Sequence, residues 1–182
     1  MGGRLVQLEG AGDSAALTLA FSIILEAQQL GEPAAWIAAP PAGASIFYPP
    51  DVHDNGVDLA ALPVVRVPGV LAAFSAADLL LRSGGFGLVV ADLGAPPAVP
   101  STALARLAGL ARRHQTAMVF LTQPTAAGAP GSLGSLISVH VRARRRRIGT
   151  DRFDCGVVAL KDKHRGPAWR YGEVRRGASG LR

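Results

Sequence analysis

Two short runs constrain this chain more than any other feature: "FGLVVADLG" at 86–94 and "TAMVFLTQP" at 116–124. Each is an almost unbroken apolar segment of strand length that closes on polar residues. A strand with one wet face alternates, whereas a continuous apolar strand is buried on both faces, as in parallel sheets roofed by helices. Helical patterns separate these and other strands. Ser14 to Leu30 is apolar nearly all round, which predicts a buried helix. Leu71 to Ser83 carries apolar i, i+3, i+4 spacing, and Ser101 opens a capped helix through Arg113. "RLVQLEG", "PAAWIAAP" (with Trp36 and Ile37 in the core) and Pro63 to Val67 read as further strands, the last preceded by a short helix in "GVDLAAL". Strands separated by single helices predict an α/β fold with a doubly wound, mostly parallel sheet.

After Pro124 the pattern changes. A Gly/Ala/Ser loop leads into "ISVHVRARRRR", "FDCGVVALKDKH" and "AWRYGEV", which read as antiparallel strands extending the sheet. In the first, Ile137, Val139, Val141 and Ala143 alternate with Ser138, His140, Arg142 and Arg144, a period of two with one wet face. At 182 residues and 49% hydrophobic the chain is expected to form one domain over 1–182. The single cysteine, Cys155, excludes an internal disulfide framework, lacks metal-site spacing and reads as structural. The N-terminus has no secretory pattern and the apolar runs are interrupted, so a cytoplasmic protein with no membrane role is expected. The net charge of +6 is uneven, with the basic residues concentrated after Val141.

"VQLEGAGDSAALTLAF", Val6 to Phe21, has the strand, turn and helix layout of a phosphate-binding loop. A Walker A loop, G-x-x-x-x-G-K-[ST], needs glycines, a lysine for the outer phosphates and a hydroxyl for magnesium. Here Gly10 keeps the first glycine, but Ala15, Ala16 and Leu17 replace the second glycine, the lysine and the hydroxyl. Asp13 adds a negative charge where a helix N-terminus would otherwise attract phosphate. The alternative is an ordinary strand-turn-helix capped by Asp13 or Ser14. Neither a cofactor, a metal nor ATPase activity is expected.

The order of these segments resembles the ATPase core of the RecA family. Gly10 opens the degenerate loop, "FGLVVADLG" stands as Walker B with Asp92 at the magnesium-ligand position, and Gln123 in "MVFLTQP" falls at the nucleotide-sensing glutamine. "SVHVRARRRRIG" and "VVALKDKHRGPAWRYGEV" resemble the closing strands. The region of the catalytic glutamate reads "IAAPPAGA", with no acid between Ile37 and Asp51, and Pro40 and Pro41 nearby. Both DNA-binding loops are reduced: Gly94 to Ala105 is short, and Pro124 to Ser135 contains no Lys or Arg. The resemblance leads one to expect no counterpart of RecA's N-terminal polymerisation element and a short C-terminal tail after Val174. Asp92 and Gln123 are then expected as vestiges, a strand-end carboxylate and a satisfied buried amide.

A RecA core stripped in this way is similar to the ImuA family of the bacterial SOS mutagenesis cassette. That resemblance implies a non-catalytic accessory of translesion synthesis, with RecA, ImuB and an error-prone C-family polymerase as partners and inhibition of RecA as its effect. A SulA-type inhibitor of cell division is an alternative. So is a weak, sequence-independent DNA-binding module: Arg142, Arg144, Arg145, Arg146 and Arg147 could form one patch with Lys161, Lys163, His164 and Arg165. The patch also fits an acidic partner segment, or an edge strand protected by charge. Phe47 and Tyr48, between prolines, are candidate contacts, with packing against the core as the alternative.

Overall fold

The computed structural model describes residues 2–10, 14–39, 47–94, 99–124 and 132–176. One eight-stranded sheet organises them. β1 (Leu5–Glu9), β2 (Ala34–Ala38), β3 (Val64–Arg66), β4 (Leu88–Gly94), β5 (Ala117–Thr122) and β6 (Val139–Arg147) pair in parallel, and β7 (Arg152–Asp162) and β8 (Arg170–Arg176) continue antiparallel. The strand order is β3-β2-β4-β5-β1-β6-β7-β8. The two continuous apolar runs are β4 and β5, and every residue of both is buried, as their composition requires.

α1 (Ala16–Gln29) lies over one face, packing Leu19, Phe21 and Ile24 with Leu8, Trp36, Val90 and Val119. After the short α2 (Pro49–Asp54), α3 (Val70–Ser83) and α4 (Ser101–His114) cover the other face against Leu5, Ile37, Val89, Met118 and Phe120. The connection from β1 through α1 to β2 travels along the sheet in one direction, and those from β3 to β5 travel in the other. Right-handed crossovers therefore place the helices on opposite faces. No helix among the described residues is long and apolar enough to cross a membrane.

Several details depart from the sequence expectation. β6 is not antiparallel to its inner neighbour: it lies parallel to β1, with Val6 opposite Val139 and Glu9 opposite Arg142. The connection after β5 is long enough for the crossover that parallel pairing demands. α1 buries a single stripe and leaves Glu26 and Gln29 exposed and Leu17, Ile23 and Leu25 half-buried, as expected of a helix in an outer layer. The short helix sits at Pro49–Asp54 instead of before β3. Prolines suit a first turn whose N–H groups have no intrahelical acceptor, while at 58–62 the Asp58 carboxylate takes the Ala60 N–H at 2.9 Å and holds a turn. Ser101 is the first residue of α4, but Pro100 occupies the N-cap and no side chain caps the helix. Phe47 is a core residue, its ring centroid 5.4 Å from that of Trp36 and 6.1 Å from that of Phe21, whereas Tyr48 is exposed.

Candidate functional site

Ligands of open α/β sheets bind outside the carboxyl ends of the strands, and Gly10, Asp92 and Gln123 lie at those ends, with Arg142 on the other face of the sheet from Asp92. The Gly10 N–H donates to the Thr122 carbonyl at 2.9 Å, and the Gln123 N–H to the Gly94 carbonyl at 2.6 Å. Asp92 pairs with Ala38 and Leu121 in the ladder, and Arg142 stands opposite Glu9. Asp92 is buried on the α1 side of β4, alongside Leu88 and Val90 in the alternation; Gln123 is half-buried.

The turn into α1 is tight. A methyl group on Gly10 would collide with Ser14 Oγ and Ala16 Cβ, so a residue without Cβ lets the helix start fold back on the strand end. The buried Ala15 is the N-cap and makes no side-chain cap bond. Ser14 Oγ accepts only a long hydrogen bond, 3.4 Å, from the Ala16 N–H. Asp13 lies outside the described residues. Ala16 and Leu17, at the lysine and magnesium-hydroxyl positions of a phosphate loop, pack half-buried against the α1 core. Among the described residues of this turn, only backbone N–H groups and the Ser14 hydroxyl could face a phosphate.

On the opposite face of β1 lies a polar cluster that no motif announces. Gln7 and Glu9 have no exposed surface, and Thr122 and His140 are almost as deeply buried. The Gln7 amide donates to Thr122 Oγ1 at 2.9 Å and accepts the Leu133 N–H at 3.0 Å. Glu9 Oε1 receives the Arg142 Nε–H at 2.7 Å, and Glu9 Oε2 is 3.3 Å from His140 Nε2. In-register parallel pairing produces this arrangement: Gln7 faces His140 and Glu9 faces Arg142 across one pair of strands. The wet face expected for β6 is thus dry at His140.

Burial pushes the His140 imidazole below its ordinary pKa, and the Glu9 carboxylate offsets this only in part. With the folded-state value depressed, the unfolded chain takes up this proton at the higher pH. The stability contribution is therefore complete above the ordinary histidine range and is lost as pH falls through it. Urea denaturation should show stability falling from about pH 7.5 to pH 5.5, with part of that slope removed by His140→Gln. An identical slope in the variant would show that His140 does not drive it.

The single basic patch expected from the sequence divides in two. The β6–β7 register puts Arg147 opposite Phe153 at one end and Lys161 opposite His140 at the other. At strand rise these ends are roughly 15–25 Å apart, so Lys161, Lys163, His164 and Arg165 do not join Arg145, Arg146 and Arg147. Lys161 Nζ donates to the Ser135 carbonyl at 3.1 Å, while the Asp162 carboxylate gathers the His164 and Arg165 N–H groups and Trp169 Nε1–H into a turn. Asp162 is held below the usual carboxylate range first by these backbone donors. Arg144 Nη1 donates to Asp154 Oδ2 at 2.8 Å, Arg146 Nη2 lies 3.8 Å from the same oxygen, Arg145 sits 5.1 Å over the Phe153 ring, and Arg147 binds the Gly149 and Thr150 carbonyls. β6 is also no edge strand, since β1 and β7 flank it; β8 is the edge on that side of the sheet and β3 on the other. Cys155 is buried, and desolvation raises its thiol pKa, as suits a structural residue.

The fold and this arrangement of strand ends define a RecA-like α/β core. The chain is 30% identical over 175 residues to Protein RecA of Rubrobacter xylanophilus, covering 81% of this chain and 50% of that protein. It is 27% identical over 197 residues to Protein RecA of Solidesulfovibrio magneticus (88% and 54%), and 29% identical over 140 residues to Protein RecA of Fusobacterium nucleatum (66% and 36%). The chain therefore spans between about a third and half the length of these relatives. No family model matches it. This distant, partial similarity supports a RecA-like family.

Proposed function

We propose that this chain is a non-catalytic RecA-like accessory protein of SOS-induced translesion synthesis, of the ImuA type. In this reading it binds RecA and inhibits it, and contacts ImuB and an error-prone C-family polymerase. The observation that carries the reading is the turn after β1. Phosphoryl transfer depends on positive charge positioned around the outer phosphates. The helix start instead presents Ala16 and Leu17, packed into the core, and closes Ser14 and Ala16 onto Gly10. A RecA-like surface without that chemistry can still engage proteins that recognise the fold, and competition with RecA follows from such engagement.

The test is titration of the protein into RecA-driven strand exchange, with its own DNA binding measured at the same salt. Inhibition at concentrations where the protein leaves the DNA uncoated supports a direct hold on RecA. No inhibition, or inhibition only at DNA saturation, overturns that role. Calorimetry with ATP and magnesium should give no binding heat; micromolar affinity would overturn the non-catalytic reading.

A further inference from the structure

We propose that the helix-free face of the β6–β8 ribbon docks the phosphate backbone of duplex DNA without reading its bases. Residues 139–176 hold twelve Lys and Arg against four Asp and Glu, whereas the rest of the chain holds seven against nine. Among the described residues the ribbon is covered on one side only. Ala143, Cys155 and Ala159 belong to the core under α1, with Phe153, Val157 and Trp169 packed against it, and Arg175 Nη2 donates to Ser22 Oγ of α1 at 3.1 Å. The core under α3 and α4 includes no residue of β7 or β8.

Strand alternation then places Arg142, Arg144, Arg146, Arg152, Arg170 and Arg176 on the uncovered side. The registers align them in rows: Arg142 with Val158 and Arg170, Arg144 with Gly156 and Gly172, and Arg152 with Arg176. The paired glycines leave a shallow channel in which the Arg144 guanidinium lies. Arg144 Nη2 would be 3.2 Å from a Cβ at Gly172. Asp154 engages Arg144 and Arg146, and Glu9 engages Arg142. Among the described residues no carboxylate pairs with Arg152, Arg170 or Arg176.

A flat lattice of guanidinium groups repeating about 6.7 Å along a strand and about 4.8 Å between strands suits a regularly spaced polyanion, and arginine binds phosphate with a planar fork. The face carries no aromatic side chain, because Phe153 and Tyr171 alternate to the α1 side. Base stacking, on which single-strand recognition depends, is absent. Val158 and Val174 alone would anchor an acidic protein, too little for an interface built on buried apolar groups.

Fluorescence anisotropy with a labelled duplex, the single strand of equal length and a polyglutamate competitor tests the proposal. Each phosphate contact contributes about −0.9 to the slope of log K against log salt. The triple variant Arg152→Gln, Arg170→Gln, Arg176→Gln should bind duplex at least ~10-fold more weakly and with a slope shallower by about 2.7. The variant Arg145→Gln, Arg147→Gln, altered on the other side of β6, should bind as the parent does. Absence of duplex binding by the parent at low salt would overturn the proposal, and that arm does not depend on any variant folding. Tighter binding of the single strand, competition by polyglutamate equal to that of duplex, an unchanged slope in the triple variant, or an equal loss in the control would overturn it as well. Duplex binding and RecA inhibition are separate readouts, so either can fail alone.

Discussion

Glu9→Ala is expected to destabilise the protein by about 3 kcal/mol, measured by urea denaturation at neutral pH. Glu9 is completely buried and holds Arg142 Nε at 2.7 Å beside the dry His140. Removing one partner of a buried pair leaves the other charge uncompensated, a loss of about 3–5 kcal/mol. Arg142 keeps part of its side chain in water, which places the expectation at the lower end. Glu9→Gln retains an acceptor for Arg142 and should lose less than half as much. Combining Glu9→Ala with Arg142→Met should recover part of the loss, because the stranded cation goes with it. A loss below about 1 kcal/mol for Glu9→Ala would mean that water reaches Arg142 freely and the pair does not stabilise the β1–β6 seam.

Trp36 should show a second large effect with an unusual profile. It is the largest fully buried side chain, with ring centroids 5.3 Å from Phe21 and 5.4 Å from Phe47. Trp36→Ala opens a cavity under α1 and is expected to remove about 4 kcal/mol, a fall in Tm of roughly 8–16 °C for a chain of this size. The indole Nε1–H has no hydrogen-bond partner among the described residues, and an orphaned buried donor costs about 1–3 kcal/mol. Trp36→Phe removes that donor along with some volume, so the two changes oppose each other and the net loss should stay within about 1 kcal/mol. If phenylalanine proves as damaging as alanine, ring volume dominates and the orphaned N–H is of little consequence.

Legibility in the sequence followed the strength of each physical signal. β4 and β5 were readable because a strand buried on both faces has no alternative to being apolar, and α3 because its spacing repeats. The helix at Pro49–Asp54 was not announced by the sequence, because paired prolines occur in loops as well as in the first turn of helices. The parallel pairing of β6 was hidden: alternation fixes which residues share a face and says nothing of direction. The placement of Gly10, Asp92 and Gln123 at the carboxyl ends of neighbouring strands was legible through the order of the segments. The buried Gln7, Glu9 and His140 cluster was not, since each residue looks ordinary until register brings them opposite one another. A signal did exist in Gln7 and Glu9, two polar residues of equal parity in an otherwise apolar strand. Likewise alternation put Arg142 and Arg144 on one face, but only the ladder carries the strand on to Arg147, separates Arg145 and Arg147 from Arg144 and Arg146, and adds Arg152, Arg170 and Arg176.

The position of β1 between β5 and β6 has a consequence for how the chain is made. β1 is synthesised before the other strands of this sheet, yet both of its neighbours come more than a hundred residues later; the Gln7–Thr122 bond spans 115 residues and the Glu9–Arg142 bond 133. β2, β3 and β4 can assemble while β1 still presents two open edges. Such long-range parallel closure is slow, and unpaired edges invite association with other chains. The Leu5–Glu9 strand therefore keeps an edge unpaired until β6, the later of its two neighbours in the chain, has been made.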